Sequence, residues 1–352
     1  MNDRIQLLEC TIRDGSLGLE DAWINEIAHV SISDNERKEL GEIVASTDAD
    51  IVEIGSIEIS EQDKRHFNIY QSIEQASLAI PENKRPGQLY VAMFKGPDTP
   101  LEDLPEKREG LLDGVRVIIR YSELVKSLEF CKILANKGFK VFIQPMATMR
   151  YSEDEIELLI KYANDMNAYA LYFVDSYGYM MHEDIIRYAQ RFDEGLKKDI
   201  RIGFHAHNNM NMAFANAITF LNYKTDRKKI IDATASGMGQ GAGNLQTEII
   251  ADYLNKHYSK EYNYEAVLVA CDFVERYNEN GLWGYSVMRL IPAVHGVAYK
   301  YAIYLRKVYG LSYVDIERLL LLLDKMPSDM RHRYSKENVK VLLRAGGFET
   351  GD

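Results

Sequence analysis

The sequence predicts an α/β fold, a (β/α)8 TIM barrel with an added helical C-terminal domain. Eight short, mostly apolar runs alternate with longer helical patterns in residues 1–260. Brief apolar runs of this kind are typical of parallel strands that are covered on both faces. Eight such units in a segment of this length favour a closed barrel over an open, doubly wound sheet, which remains the alternative.

The strand predictions rest on runs rich in Val, Ile, Leu and Phe. They are residues 6–10, 51–54, 89–93, 115–119, 141–144, 171–174, 202–204 and 230–232. Helical patterns lie between most of them, at 122–135, 182–196, 210–221 and 245–254. Two further helices are expected after Ser33 and Ser152, because each serine is followed three residues later by a glutamate, the spacing of a capping box.

Residues 261–352 form the predicted C-terminal domain. Helical patterns follow one another there without strands, at 264–277, 287–309 (interrupted near Pro292), 312–323 and 335–345. The last pattern ends at Gly346 and Gly347, which suit a helix C-terminus. Segments 287–309 and 312–323 carry more apolar surface than a free-standing tail should expose, so we expect them to form a homodimer interface.

Composition excludes several classes of partner. The 352 residues are 46% apolar and 27% charged, with a net charge of −11. An acidic surface argues against nucleic acid and anionic membrane as partners. No apolar run approaches the roughly 20 residues of a membrane span. Three scattered cysteines and the lack of a signal-like start predict a cytoplasmic protein without a disulfide framework.

The candidate metal site comes from the carboxyl ends of the predicted strands, where (β/α)8 enzymes place their sites. His205 and His207 are two residues apart on an extended segment, so their imidazoles point to the same face. Asp14 follows strand 1, which closes the barrel near strand 7. Two imidazoles and a carboxylate suit a divalent metal, preferably Mn²⁺, with Mg²⁺, Co²⁺ or Zn²⁺ also compatible.

Other polar residues at the same end are candidates for binding a substrate. Arg13 offers a planar, permanently charged fork for a carboxylate or an enolate oxygen, and it can also pair with Glu53 of strand 2. Ser176 follows strand 6. The glycine-rich turn after strand 8 contains Gly239 and Gly241, and its backbone N–H groups can cradle an anion.

Four motifs occur in one order along the chain. They are CTIRDG at 10–15, VEIG at 52–55, GFHAHNN at 203–209 and GMGQGAGN at 237–244. In this combination the sequence resembles the DRE-TIM metallolyase (HMGL-like) superfamily, and it looks most similar to the 4-hydroxy-2-oxovalerate aldolase branch. The resemblance implies a divalent metal on Asp14, His205 and His207, with Asn244 as a further ligand in some members. Arg13 and Glu53 complete the signature.

Two departures from the family pattern affect the expected reaction. The cysteine of the CoA lyases is absent from the turn, which reads Gly239-Gln240-Gly241, and this argues against that activity. The catalytic-base histidine of the aldolases corresponds to Leu17. We predict that His29, in a long βα loop between Gly15 and Ser33, replaces that base, because imidazole titrates near neutrality. Tyr299 and Tyr301 are alternative proton donors.

The predicted function is that of a class II-like, metal-dependent aldolase, a carbon–carbon lyase. It would act on a 2-oxo acid and an aldehyde through a metal-stabilised enolate. Two alternatives remain open. One is an acyl-CoA-dependent Claisen-condensing synthase, as in the isopropylmalate and homocitrate synthases. The other is a non-catalytic metal-binding subunit of a biosynthetic complex. This alternative stays open because Leu17 stands at the position of the usual base.

Overall fold

The computed structural model describes residues 4–25, 27–82, 84–278 and 281–349. Eight parallel strands form a closed barrel, because β1 pairs with both β2 and β9. A two-residue strand, β3, pairs with β2 outside the closed ring. The strands are β1 (Ile5–Glu9), β2 (Ile51–Ile57), β3 (Ile69–Tyr70), β4 (Leu89–Phe94), β5 (Gly114–Ile119), β6 (Lys140–Pro145), β7 (Ala170–Asp175), β8 (Arg201–Ala206) and β9 (Lys229–Ala233).

The predicted fold class and all eight predicted strands are confirmed. The largest difference is at the end of β2, which continues to Ile57. The helices around the barrel are α1 (Ser16–Ile24), α2 (Asp34–Ala45), α3 (Ile73–Ser77), α4 (Leu124–Asn136), α5 (Glu153–Asp165), α6 (His182–Gly195), α7 (Ala213–Asn222), α8 (Thr247–Tyr258) and α9 (Tyr264–Glu275). Ser33 and Ser152 form the predicted capping boxes at the starts of α2 and α5.

The segment after β1 differs from the prediction. The sequence suggested a long loop from Gly15 to Ser33, but Thr11–Gly15 is a π-helical turn that runs directly into α1. Most of α1 is buried, including polar residues such as Glu20 and Asp21. A helix that is buried on several sides lacks the polar stripe by which sequence patterns reveal a surface helix. The connection to α2 is therefore much shorter than predicted.

Five helices follow α9. They are α10 (Val287–Val294), α11 (Lys300–Lys307), α12 (Tyr313–Leu322), α13 (Ser328–His332) and α14 (Lys336–Ala345). Pro292 lies inside α10, and the chain breaks its helical path later, where Gly296 adopts a positive φ of 59°. None of the helices in the described ranges is long and apolar enough to cross a membrane.

The buried apolar side chains of the described residues form three clusters. The largest belongs to the barrel and its helices, extends through Phe273 and Val274 of α9 and includes Trp283. A small one consists mainly of barrel-strand residues such as Tyr172. The third begins at Ile291 and is built from α10, α11, α12 and α14. Helix α9 thus packs on the barrel, and the later helices form a unit with its own apolar interior. The predicted homodimer through these helices stays a prediction.

Candidate active site

Three side chains at the carboxyl end of the barrel form a group that can hold a metal. Asp14 comes from the π-helical turn after β1, His205 from the end of β8 and His207 from the residues just beyond it. One ligand atom from each lies within 4.8 Å of the others. All three side chains are buried. A carboxylate and two imidazoles at this spacing fit a divalent cation and leave positions open for substrate.

The protonation states of this group also suit a cation. Burial opposes the ionisation of Asp14, but the charge of Arg13 and those of the two imidazoles outweigh it and hold the pKa of the carboxyl well below its usual range. Burial lowers the pKa of His207 to about 4. At neutral pH the group therefore offers a carboxylate and a neutral imidazole, which are the forms that bind metal.

Asp232 orients His205 from behind. His205 Nδ1 lies 2.9 Å from Asp232 Oδ2, which leaves Nε2 for a cation. Asp232 also accepts hydrogen bonds from Tyr172 Oη (3.0 Å) and from Arg116. Burial raises the pKa of Asp232, but Arg116 and His205 outweigh this effect and lower it overall. A carboxylate behind a ligating imidazole fixes the tautomer and strengthens the ligand.

A chain of buried charges continues across the barrel interior. Arg116, with no exposed surface, donates to Glu53 Oε2 at 2.6 Å as well as to Asp232. Arg13 Nε donates to the same Glu53 oxygen at 2.8 Å, so the expected Arg13–Glu53 pair is present. Arg13 also donates to Asp14. Sequence reasoning missed Arg116 and Asp232, whose signal was an isolated charge within an apolar strand.

The glycine-rich turn brings Asn244 to Asp14. Asn244 Nδ2 donates to Asp14 Oδ2 and to the carbonyl of Met238, the latter at 3.2 Å. Its Oδ1 is buried and has no hydrogen-bond partner in the described part of the chain. Such an oxygen is a donor that a cation would satisfy. A Cβ at Gly239 would clash with Asn244 and lie 2.9 Å from Asp14 Oδ2, so the turn can approach the site only as glycine.

Of the other residues predicted to take part in substrate binding or catalysis, some lie close to the site and others do not. Gly241 has a φ of +64°, and a Cβ there would lie 2.9 Å from Asn209 Oδ1. Ser176 Oγ accepts a hydrogen bond from the backbone of Ala147 at 2.8 Å, so it supports the turn after β6. His29 is exposed, and its ring packs edge-on against Trp23 at 4.9 Å. The structure does not bring His29 into the group around Asp14.

Tyr299, at the start of α11, lies beside the glycine-rich turn. It lines a cavity of about 310 Å³ together with Gly239, Gly241 and Asp21. Its hydroxyl donates to Asp21 Oδ2, while Lys300 forms an ion pair with the other oxygen of that carboxylate. Burial, followed by the charge of Asp21, raises the pKa of Tyr299 well above its usual value, so its resting form is the neutral phenol. Tyr301 instead donates to backbone carbonyls at 2.7 and 3.1 Å inside the C-terminal core.

A larger cleft of about 640 Å³ opens over the carboxyl ends of the strands. Barrel residues such as Leu17, Lys95 and Met146 form one side, together with Gln240 of the glycine-rich turn. Residues of the C-terminal helices form the other side. A cleft of this size is typical of small-molecule sites and exceeds what a short 2-oxo acid fills.

Comparisons with known proteins agree with this geometry. Residues 117–274 match the HMGL-like family model. Over 255 residues the chain is 26% identical to oxaloacetate decarboxylase of Mycobacterium tuberculosis (strain ATCC 25618 / H37Rv), covering 71% of this chain and 70% of that protein. Over 184 residues it is 36% identical to 4-hydroxy-2-oxovalerate aldolase 2 of Comamonas testosteroni, covering 52% and 51%. The latter alignment thus spans about half of each protein.

Solved structures share the fold. HMG-CoA lyase from Brucella melitensis superposes with a TM-score of 0.61 at 13% identity, covering 78% of this chain and 99% of the other. The carboxyl transferase domain of Rhizobium etli pyruvate carboxylase gives 0.67 at 12% identity, covering 98% of this chain and 60% of the other. At these identities the likeness shows the fold alone. The family-model match over residues 117–274 confirms the resemblance to the HMGL-like (DRE-TIM) superfamily that the motifs predicted.

Proposed function

We propose that this protein is a divalent-metal-dependent lyase that makes or breaks a carbon–carbon bond beside a 2-oxo acid, with an aldehyde as the other substrate. The observation that carries the proposal is the group Asp14, His205 and His207, with Arg13 beside it, at the carboxyl end of the barrel. Relatives named oxaloacetate decarboxylase and 4-hydroxy-2-oxovalerate aldolase support it, because both names denote cleavage of a carbon–carbon bond in a 2-oxo acid.

The residues that would hold the cation are Asp14, His205 and His207, with Asn244 Oδ1 as a further donor. Mixed nitrogen and oxygen donors favour Mn²⁺, and they also accept Mg²⁺, Co²⁺ or Zn²⁺. When bound, the cation supplies Lewis-acid stabilisation of the enolate that forms as the bond breaks. Asp232 keeps the His205 ring in position for this role.

Arg13 would bind the oxygen atoms on which negative charge develops. Its Nε is held by Glu53 and its Nη1 by Asp14, so the guanidinium plane is fixed before substrate arrives. Its Nη2 makes no hydrogen bond to any residue of the described ranges, and it is therefore available to a substrate carboxylate or enolate oxygen. Preorganised donors in a buried site contribute strongly to catalysis because little reorganisation is needed.

The Arg13→Lys variant tests this role. We expect it to fold and to keep its metal, but to lose about 10²–10³-fold in kcat, because an ammonium group cannot reproduce the planar fork. The measurements are steady-state kinetics and metal analysis, with Arg4→Lys, at a half-exposed surface position, as the matched control. A kcat within twofold of wild type would show that Arg13 only supports the structure.

Aldol cleavage requires a group that accepts the proton of the substrate hydroxyl, and the side chain of Leu17 cannot accept a proton. We propose that Tyr299 accepts this proton on its hydroxyl oxygen while its own proton passes to Asp21. The support is positional: Tyr299 lines the cavity over Gly239 and Gly241, whereas His29 is exposed beside Trp23. His29 as the base thus remains the prediction from sequence, without support from its surroundings.

The variants Tyr299→Phe and His29→Asn separate the two assignments. If Tyr299 carries the proton, Tyr299→Phe lowers kcat by about 10² or more, whereas His29→Asn leaves kcat unchanged. Metal content and circular dichroism check that both variants fold. The reverse pattern, a large loss in His29→Asn alone, would restore the base predicted from the sequence and remove Tyr299 from the mechanism.

Decarboxylation of a 2-oxo diacid is the second candidate, and Leu17 is the observation that favours it. When the bond to a carboxylate breaks, CO2 leaves and no hydroxyl proton has to be removed. Offering the protein oxaloacetate and, separately, a 4-hydroxy-2-oxo acid distinguishes the reactions, because one releases CO2 and the other an aldehyde. Release of free thiol from acetyl-CoA would instead support the Claisen alternative, and absence of turnover with every substrate would support a non-catalytic subunit.

A further inference from the structure

The charges that line the large cleft are unevenly paired. Six lysine or arginine side chains and five carboxylates line it. Most of them form ion pairs with each other or with a neighbour: Lys64 and Lys95 with Glu20 and Glu58, Lys300 with Asp21, and Arg120 with Glu123 and Asp98. In the ranges that the structure describes, Arg150 and Arg333 have no carboxylate within 4.0 Å.

These two arginines lie beside one short segment. The Arg150 guanidinium stands over the ring of Tyr121, 4.5 Å from its centroid. Arg333 Nη2 donates to Ser122 Oγ at 3.0 Å. Because Tyr121 and Ser122 are adjacent just after β5, two cations from distant parts of the chain line the same cleft beside one short segment. Like charges that face one cleft repel each other, and an anion bound between them would offset that repulsion.

The surroundings of the pair do not supply that anion. His332 lies next to Arg333 in the chain. Its Nδ1 is hydrogen-bonded to the Tyr177 hydroxyl at 2.7 Å. Burial and then the charge of Arg150 lower the pKa of His332 to about 4, so it is neutral. Asp329, the remaining carboxylate of the cleft, is exposed and makes no ion pair within 4.0 Å among the described residues.

We propose that Arg150 and Arg333 bind a carboxylate or phosphate at the far end of the second substrate, so that the aldehyde is an anionic one. The inference rests on the proposed function, since it names the class of aldehyde. The same cleft extends from Leu17 and Gln240, beside the glycine-rich turn, to Arg333. A pair of guanidinium forks matches the oxygen geometry of either anion.

The first test compares matched aldehydes with pyruvate as the co-substrate. The pairs are succinic semialdehyde against butyraldehyde, and glyceraldehyde 3-phosphate against glyceraldehyde. Wild type should prefer the charged member of at least one pair, which also identifies the anion. Arg150→Gln and Arg333→Gln should each lower the charged-to-neutral ratio of kcat/KM by about 10–100-fold, the loss typical of a hydrogen bond to a charged group.

Arg318→Gln, a charge-matched change at an exposed position of α12, should leave the ratio at the wild-type value. A second measurement does not depend on turnover: titration calorimetry with succinate and with inorganic phosphate, where Arg150→Gln should weaken binding by a similar factor. If anion binding requires both arginines but pyruvate is not turned over, the result would support the anion site and contradict the proposed function. Turnover with the same ratio in wild type, Arg150→Gln and Arg333→Gln would overturn the anion site alone.

Discussion

Asp14→Asn and His205→Ala are each expected to lose most of the bound metal and, with it, turnover. Each change removes a ligand that no neighbour replaces, and Asp14→Asn also removes the negative charge that balances Arg13. Since changes behind a metal ligand already cost about 10–100-fold in affinity, loss of a ligand itself should cost at least about 100-fold. Metal content after desalting, measured by atomic emission, gives the result.

Thermal unfolding supplies a readout that does not depend on activity. A ligand present at about 100 times its Kd stabilises the native state by about 2.7 kcal/mol. Adding Mn²⁺ should therefore raise the Tm of wild type and of Asp226→Asn, whose carboxylate is almost fully exposed, but not the Tm of Asp14→Asn. Full metal occupancy in both ligand variants would refute the assignment of the site.

Arg116→Met should lower the free energy of unfolding by about 3–5 kcal/mol. The substitution conserves much of the side-chain volume but leaves Glu53 and Asp232 buried without their shared cation. Uncompensated buried charge is among the most destabilising single changes known, whereas loss of an exposed ion pair costs about 1 kcal/mol or less. Urea unfolding compares the variant with Arg65→Met, which removes a half-exposed pair with Asp63.

A triple variant tests whether the destabilisation of Arg116→Met comes from Glu53 and Asp232. If the triple variant with Glu53→Gln and Asp232→Asn recovers part of the lost stability, the cost comes from the two buried carboxylates that have lost their shared cation. A loss below about 1 kcal/mol in Arg116→Met would mean that the two carboxylates take up protons or water without penalty. It would contradict the description of this network as a balanced set of buried charges.

The barrel could be predicted because each strand is an apolar run of nearly the right length, separated from the next by a helical pattern. The grouping of Asp14, His205 and His207 could be predicted because the two histidines share one strand face, and because the motif containing Asp14 is characteristic. The roles of Arg116 and Asp232 could not be predicted from the sequence, for a physical reason. Each is a charged residue within a different, mainly apolar strand, and only closure of the barrel shows that they face each other.

The helix after β1 and the contact between Tyr299 and Asp21 could not be predicted from the sequence. Helix α1 is buried on several sides, so its sequence lacks the periodicity by which surface helices are found. That helix carries Asp21, the partner of Tyr299. Without α1 in place, nothing in the sequence relates residue 21 to residue 299. The prediction of His29 as the base rests on a loop between Gly15 and Ser33 that folds back over the predicted metal site, and α1 occupies much of that segment.

The pairing of Asp21 with Tyr299 and Lys300 has a consequence for biosynthesis. A ribosome that has released residue 244 has delivered every proposed metal ligand, whereas Tyr299 and Lys300 belong to helices that are still to be made. On the proposed roles, a nascent barrel would be able to bind its cation before the side of the cleft formed by the C-terminal helices exists. Catalytic competence would then arrive only when α11 docks on α1, so translation would separate metal loading from assembly of the proposed proton path.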